Sequence, residues 1–158
     1  MYYLKKKKKE KKLPLFEKAG VKVKKKPNLI AKLDRIFSKY IRLRDVMPNG
    51  YFVCISCGQI KHYEQGDCGH FFSRKSMSTR FDEDNCHCEC RFCNRFSSDH
   101  LVGYQVNLVR KIGHQRFEKL VWKHNSTKKW CDFELEELII LYTEKVEILS
   151  KEKNIIKM

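Results

Sequence analysis

After Pro27, the apolar residues Leu29, Leu33, Ile36, Phe37, Tyr40 and Ile41 recur at three- and four-residue steps, the period of one helix face. Asn28 offers an N-cap and Pro48-Asn49-Gly50 a turn, so a helix is expected over about 28–46. The pattern changes at Tyr51. From there to Asn94, Cys, His, Asn and Gly interrupt every long periodic stretch, and the segment reads as short strands and loops that would be weak without a staple. Helical spacing resumes through Phe92, Phe96, Leu101, Tyr104, Val106, Leu108 and Val109 to Gly113, a residue suited to a helix C-terminus. A shorter helical piece follows around Phe117, Leu120 and Val121. A last helix is predicted from near Asp132, its carboxylate a cap and Glu134, Glu136 and Glu137 close to the positive end of the dipole. Its stripe of Leu135, Leu138, Ile139, Tyr142, Val146 and Leu149 is read as core packing over a small stapled centre. The expectation is an α+β fold, with a core over about 51–112 and C-terminal helices over about 114–153.

The chain has 158 residues, room for one compact domain. Its formal net charge is +15, and residues 1–26 hold twelve Lys against two Glu, which is +10 of that total. So dense a lysine run buries too little apolar surface to offset its ordering entropy, and residues 1–27 are read as a disordered basic arm before a domain over 28–158. A positive surface of this size attracts polyanions, nucleic acid in particular because binding releases its condensed counterions. No stretch reaches the roughly 18 apolar residues of a membrane span, and the lysine-rich start lacks a signal peptide's apolar core. A soluble cytoplasmic protein without a membrane partner is expected.

Eight cysteines in a reducing compartment point away from disulfides, and their spacing points to metal. Cys54-Ile-Ser-Cys57-Gly and Cys90-Arg-Phe-Cys93-Asn are two C-x-x-C knuckles separated by 32 residues. Each can present two thiolates to one tetrahedral Zn²⁺, and a closed four-thiolate site leaves no open position for substrate. This zinc is therefore assigned to folding. Buried reduced cysteines alone would not explain two identical spacings. Cys68, Cys86, Cys88 and Cys131 stay outside the arrangement, and a second site from Cys86, His87 and Cys88 is disfavoured because strand neighbours point to alternating faces.

Between the knuckles lie Asp67-Cys-Gly-His70 and Asp84-Asn85-Cys-His87, and Asn94 follows the second knuckle directly. This order resembles the HNH nuclease family, which implies a zinc-stapled ββα-metal, treble-clef-like core. By that resemblance His70 is the general base, Asn85 orients its ring by hydrogen bonding, and Asn94 binds a catalytic Mg²⁺ or Mn²⁺ through its amide oxygen. Many members carry Asp immediately before the base, where this chain has Gly69; Asp67 is the nominated carboxylate ligand. Phosphodiester hydrolysis needs a water deprotonated near neutral pH and a cation facing the phosphate charge, which a His and one divalent ion supply. His87 is read as a supporting residue behind the site. Arg80, Arg91 and Arg95 either grip phosphates or stand as solvated charges.

Arg80-Phe-Asp-Glu-x-Asn85-x-His87, Leu101-Val102-x-Tyr104 and Arg110-x-Ile112-Gly113 extend the likeness in the same order. Over about residues 29–149 the chain resembles the NinG/Rap recombination proteins of lambdoid phages. That resemblance implies an endonuclease for branched DNA, such as Holliday junctions and D-loops. Symmetric resolution of a junction needs two active sites, which motivates a homodimer. The competing reading is a non-catalytic zinc module that binds nucleic acid with the same fold.

Overall fold

The computed structural model describes residues 28–154. The basic arm read over 1–27 lies outside them. Helix α1 (Leu29–Asp45) leads into a small hairpin of β1 (Tyr51–Val53) and β2 (Ile60–His62). A single 3₁₀ turn, Tyr63–Gln65, connects to β3 (Gly66–His70), which pairs antiparallel with β4 (Cys86–Cys90). Four helices follow: α2 (Arg91–Phe96), α3 (His100–Ile112), α4 (His114–His124) and α5 (Asp132–Glu152). The class is α+β, with two separate two-stranded sheets.

Asn28 caps α1, its side chain accepting the Ala31 N–H at 3.0 Å, and the helix buries Leu33, Phe37, Tyr40, Ile41 and Leu43. It packs along α5, where Phe37 meets Tyr142 edge-on with ring centroids 4.8 Å apart. Leu135, Ile139 and Tyr142 complete this core from α5, and Cys68, Phe81 and Cys86 complete it from the β3–β4 unit. A second cluster places Leu43, Val46 and Phe52 around Cys54, Cys88, Cys90 and Cys93. A third joins Ile55 to Tyr104, Leu108, Ile112 and Leu120. No helix among the described residues is long and apolar enough to cross a membrane.

The structure differs from the pattern-based reading in two places. The helical stretch expected from Phe92 to Gly113 breaks at Ser97–Asp99, and Phe92 and Phe96 are 69% and 76% exposed. Helical spacing there does not mark a buried face. At the last helix Cys131, not Asp132, is the capping residue, and the Glu134 carboxylate accepts the Cys131 N–H at 3.0 Å.

Asp45 ties three elements together. Its carboxylate accepts the Cys88 N–H of β4 (2.8 Å), both guanidinium arms of Arg44 (2.9 and 3.1 Å) and the α3 ammonium of Lys111 (3.1 Å). A negative charge at a helix C-terminus is disfavoured by the dipole, and these donors offset that cost. Burial by itself would raise the Asp45 carboxyl, but the adjacent His87 ring and the Arg44 hydrogen bonds and charge hold it far below the carboxylate range. A depressed folded-state pKa stabilises above the unfolded value of about 3.9, and that stability is lost as pH falls toward the folded value. Asp45→Asn should therefore cost about 2 kcal/mol in urea denaturation at pH 7, the scale of hydrogen bonds to a charged group. The gap between variant and native chain should hold from pH 8 to 5 and narrow below about 4. A gap that stays constant to pH 3 would contradict the linkage.

Candidate metal centre and active site

The first knuckle is shaped by Gly58, whose φ of +69° lets its N–H turn back to the Cys54 carbonyl at 2.9 Å. The second knuckle straddles the end of β4 and the first turn of α2, so sheet and helix both position it. Together they bring the Sγ atoms of Cys54, Cys57, Cys90 and Cys93 within 4.8 Å of one another. A tetrahedral zinc with bonds of about 2.3 Å holds its sulfurs about 3.8 Å apart, so the quartet fits the ion. The Cys90 N–H also points at the Cys54 sulfur, 3.3 Å away. Burial, the Cys90 hydrogen bond and the nearby Cys54 and Cys57 push the Cys93 thiol well up, and a divalent cation reverses that penalty. The cluster can hold a metal such as zinc.

Strand alternation divides the β3–β4 unit into two faces. Cys68 and His70 of β3 share one with Cys86 of β4, against α1. Asp67 and Gly69 share the other with His87 and Glu89. His70 lines a cavity of about 200 Å³ with Asp34, Arg35, Ser38 and Arg74. Its Nδ1 lies 3.2 Å from the Cys68 carbonyl. Burial, reinforced by the Arg74 charge, pushes His70 down to about 4, so its ring is neutral at pH 7 and keeps one nitrogen as an acceptor.

Asn85 does not hydrogen-bond to the His70 ring. Its Oδ1 accepts the Phe72 N–H at 2.7 Å, and its Nδ2 donates to the carbonyls of Phe72 (2.9 Å) and Thr79 (3.0 Å). The side chain is fully buried, and all of these bonds grip the turn leaving β3. Tyr104 clamps the same region from α3, donating to the carbonyls of Gly69 and Asn85. Any influence of Asn85 on His70 runs through the backbone two residues on.

Asp67 and Asn94 meet on the opposite face. Asn94 Nδ2 donates to Asp67 at 3.1 Å, and Arg95 donates twice, at 2.6 and 2.9 Å. Burial alone would raise the Asp67 carboxyl, but the Arg95 and Asn94 bonds and the Arg95 and Arg91 charges hold it below its usual range. Three strand residues, about 10 Å, separate Asp67 from His70, so the expected constellation is split in two. Arg80 is committed internally to Asp34 and to the Arg74 carbonyl, whereas Arg91 and Arg95 are more than half exposed.

Glu89 was not singled out from the sequence. It is fully buried, accepts from Ser56 (2.5 Å) and pairs with His100 (2.7 Å) through Oε1, while Oε2 has no hydrogen-bond partner among the described residues. A Cβ at position 69 would collide with that Oε2, so Glu89 fills the space an aspartate at 69 would need. The only mark it carries in the sequence is a lone carboxylate inside the run Cys86-His-Cys-Glu-Cys90; its register opposite Asp67 is a product of the fold. His87 is 2% exposed, with Nδ1 facing Arg44 (2.8 Å) and Asp45 (3.4 Å) and Nε2 without a hydrogen-bond partner among the described residues. It is closed to solvent and lies on the face of Asp67 and Glu89, opposite that of His70.

Residues 3–152 match the protein family described as "NinG: Bacteriophage Lambda NinG protein". The chain is 32% identical to Protein ninG of Escherichia phage 933W over 102 residues, 64% of this chain and 50% of that protein. It is 31% identical to Protein ninG of Escherichia phage lambda over 102 residues, 64% of this chain and 49% of that one. Against Protein ninG of Enterobacteria phage H19B the identity is 37% over 73 residues, 46% of this chain and 36% of that protein. The chain thus spans about half the length, or less, of the curated relatives it matches. No solved structure matches it.

Proposed function

Since the chain belongs to the NinG family, we propose that it is a metal-dependent endonuclease of the HNH type that cuts branched DNA recombination intermediates. The observation that carries this reading is the β3–turn–β4–α2 unit. The thiol quartet staples its end, Asn85 grips its turn, and a neutral His70 faces a cavity flanked by Arg35 and Arg74. A neutral imidazole can take a proton from water, and the two guanidinium groups suit a phosphate at the cavity mouth.

Mg²⁺ or Mn²⁺ prefers oxygen donors, and on the face opposite His70 the Asp67 carboxylate and the Asn94 amide oxygen would hold such an ion once it displaces the Arg95 fork and the Asn94 N–H from Asp67. When bound, such an ion supplies positive charge for the scissile phosphate and the leaving oxygen. Arg91 opens α2 and Arg95 lies in its last turn, both exposed, where they can contact the DNA backbone. The basic arm adds non-specific affinity, and two active sites in a homodimer would suit a symmetric junction.

The separation of His70 from Asp67 and Asn94 favours a second reading, a non-catalytic zinc module that binds nucleic acid. A cleavage panel decides between them. With Mg²⁺ present, a four-way junction should be cut at much lower protein concentration than a linear duplex of the same sequence, and neither should be cut in EDTA. Equal cutting of both would remove the branched-DNA assignment. Tight binding without cutting would support the module.

A further inference from the structure

The thiol quartet leaves three buried cysteines, Cys68, Cys86 and Cys88, on the face of β3–β4 that carries His70, and two of them, Cys68 and Cys86, gather with that ring. Cys68 and His70 are two residues apart on β3 and project to the same side, and Cys86 stands directly across from His70 in the ladder. Their Sγ, ring-nitrogen and Sγ atoms lie within 4.8 Å of one another. Cys68 is 5% exposed and Cys86 fully buried. Cys68 and His70 both line the cavity of about 200 Å³, with Asp34, Ser38 and Arg74 as its polar walls.

Apolar packing accounts for a buried thiol. It does not account for an imidazole held against two of them at the wall of a polar cavity. Two thiols and one imidazole are a donor set for a borderline-soft cation, and a site with three protein ligands keeps a fourth position open. The geometry points to a second zinc site formed by Cys68, His70 and Cys86, its open position facing the cavity, and distinct from the closed quartet. A Zn²⁺ there occupies the lone pair of His70, so the ion and the use of His70 as a base exclude each other. This last consequence rests on the nuclease reading; the site itself does not.

Metal content of the full chain tests the site without reference to activity. Titrated with Zn²⁺ and freed of loose metal, the native protein should take up two equivalents, and Cys68→Ala and Cys86→Ala should each retain one. Circular dichroism and thermal melting confirm that each variant is folded. With Co²⁺ as the probe, the second equivalent should bring thiolate-to-cobalt charge-transfer absorption that both variants lack. Saturation of the native chain at one equivalent, or a second equivalent that persists in a folded Cys68→Ala/Cys86→Ala protein, overturns the proposal. In junction cleavage, micromolar Zn²⁺ should inhibit the native chain at least tenfold more strongly than the folded cysteine variants. Equal inhibition would end the competition claim. An inactive protein that still binds two equivalents keeps the site while removing the nuclease reading.

Discussion

In Mg²⁺ at neutral pH, His70→Ala is expected to cut a four-way junction about 10²- to 10⁴-fold more slowly than the native chain, the range a positioned general base supplies. Junction affinity and the metal of the Cys54–Cys57–Cys90–Cys93 quartet should remain, because His70 touches neither the knuckles nor the exposed Arg91 and Arg95. The loss should fall on kcat with KM little changed. Added imidazole should restore part of the rate, since the truncation leaves space beside an existing cavity. A merely structural histidine would not respond in that way. The assay belongs in low free zinc, so that occupancy at Cys68 and Cys86 does not mask the native rate. Unchanged cleavage by the folded variant, with contaminating nuclease excluded, would refute the assignment of His70.

The parts of the fold legible in the sequence are those whose signal is local. Leu33, Phe37, Tyr40 and Ile41 of α1 and Leu135, Ile139 and Tyr142 of α5 follow the helical period because each helix buries one continuous stripe, in a core shared by the two helices and the β3–β4 unit. The same period failed at Ser97–Asp99. Phe92, Phe96 and Val106 carry it yet lie on the surface, so spacing there reports composition and not burial. The knuckles were readable because C-x-x-C compresses a metal half-site into four residues.

His70 is nominated from its place between the two knuckles, but its surroundings depend on the register of β3 against β4 and on which helix covers which face. Neither is written in any short window. Register placed Cys86 opposite His70 and sent Asp67 to the other side, and a side chain from β4, Glu89, filled the space above Gly69. The role of Asn85 changed for the same reason. Its bonds run to Phe72 and Thr79, partners fixed by how the turn folds back.

The other large effect is expected at the zinc staple. Cys54, Cys90 and Cys93 are buried within a cluster that also holds Leu43, Val46, Phe52 and Cys88, and only Cys57 of the quartet is exposed. The sheets around it are short, three paired residues in β1–β2 and five in β3–β4, too little by themselves for independent stability. Binding of a structural zinc contributes on the order of 10 kcal/mol at neutral pH, comparable with the whole 5–15 kcal/mol stability of a typical domain. Cys90→Ser, or removal of zinc with a strong chelator, should therefore abolish the cooperative thermal transition. Re-addition of Zn²⁺ should restore it in the chelated native chain and not in the variant. Cys131→Ser is the matched control, because Cys131 is exposed, lies outside both thiol clusters and caps α5, where serine is favoured. Its melting temperature should stay within a few degrees of the native value. A chelated protein that melts cooperatively at the native temperature, with metal analysis showing no zinc, would mean that the packing of α1 on α5 holds the fold without the staple.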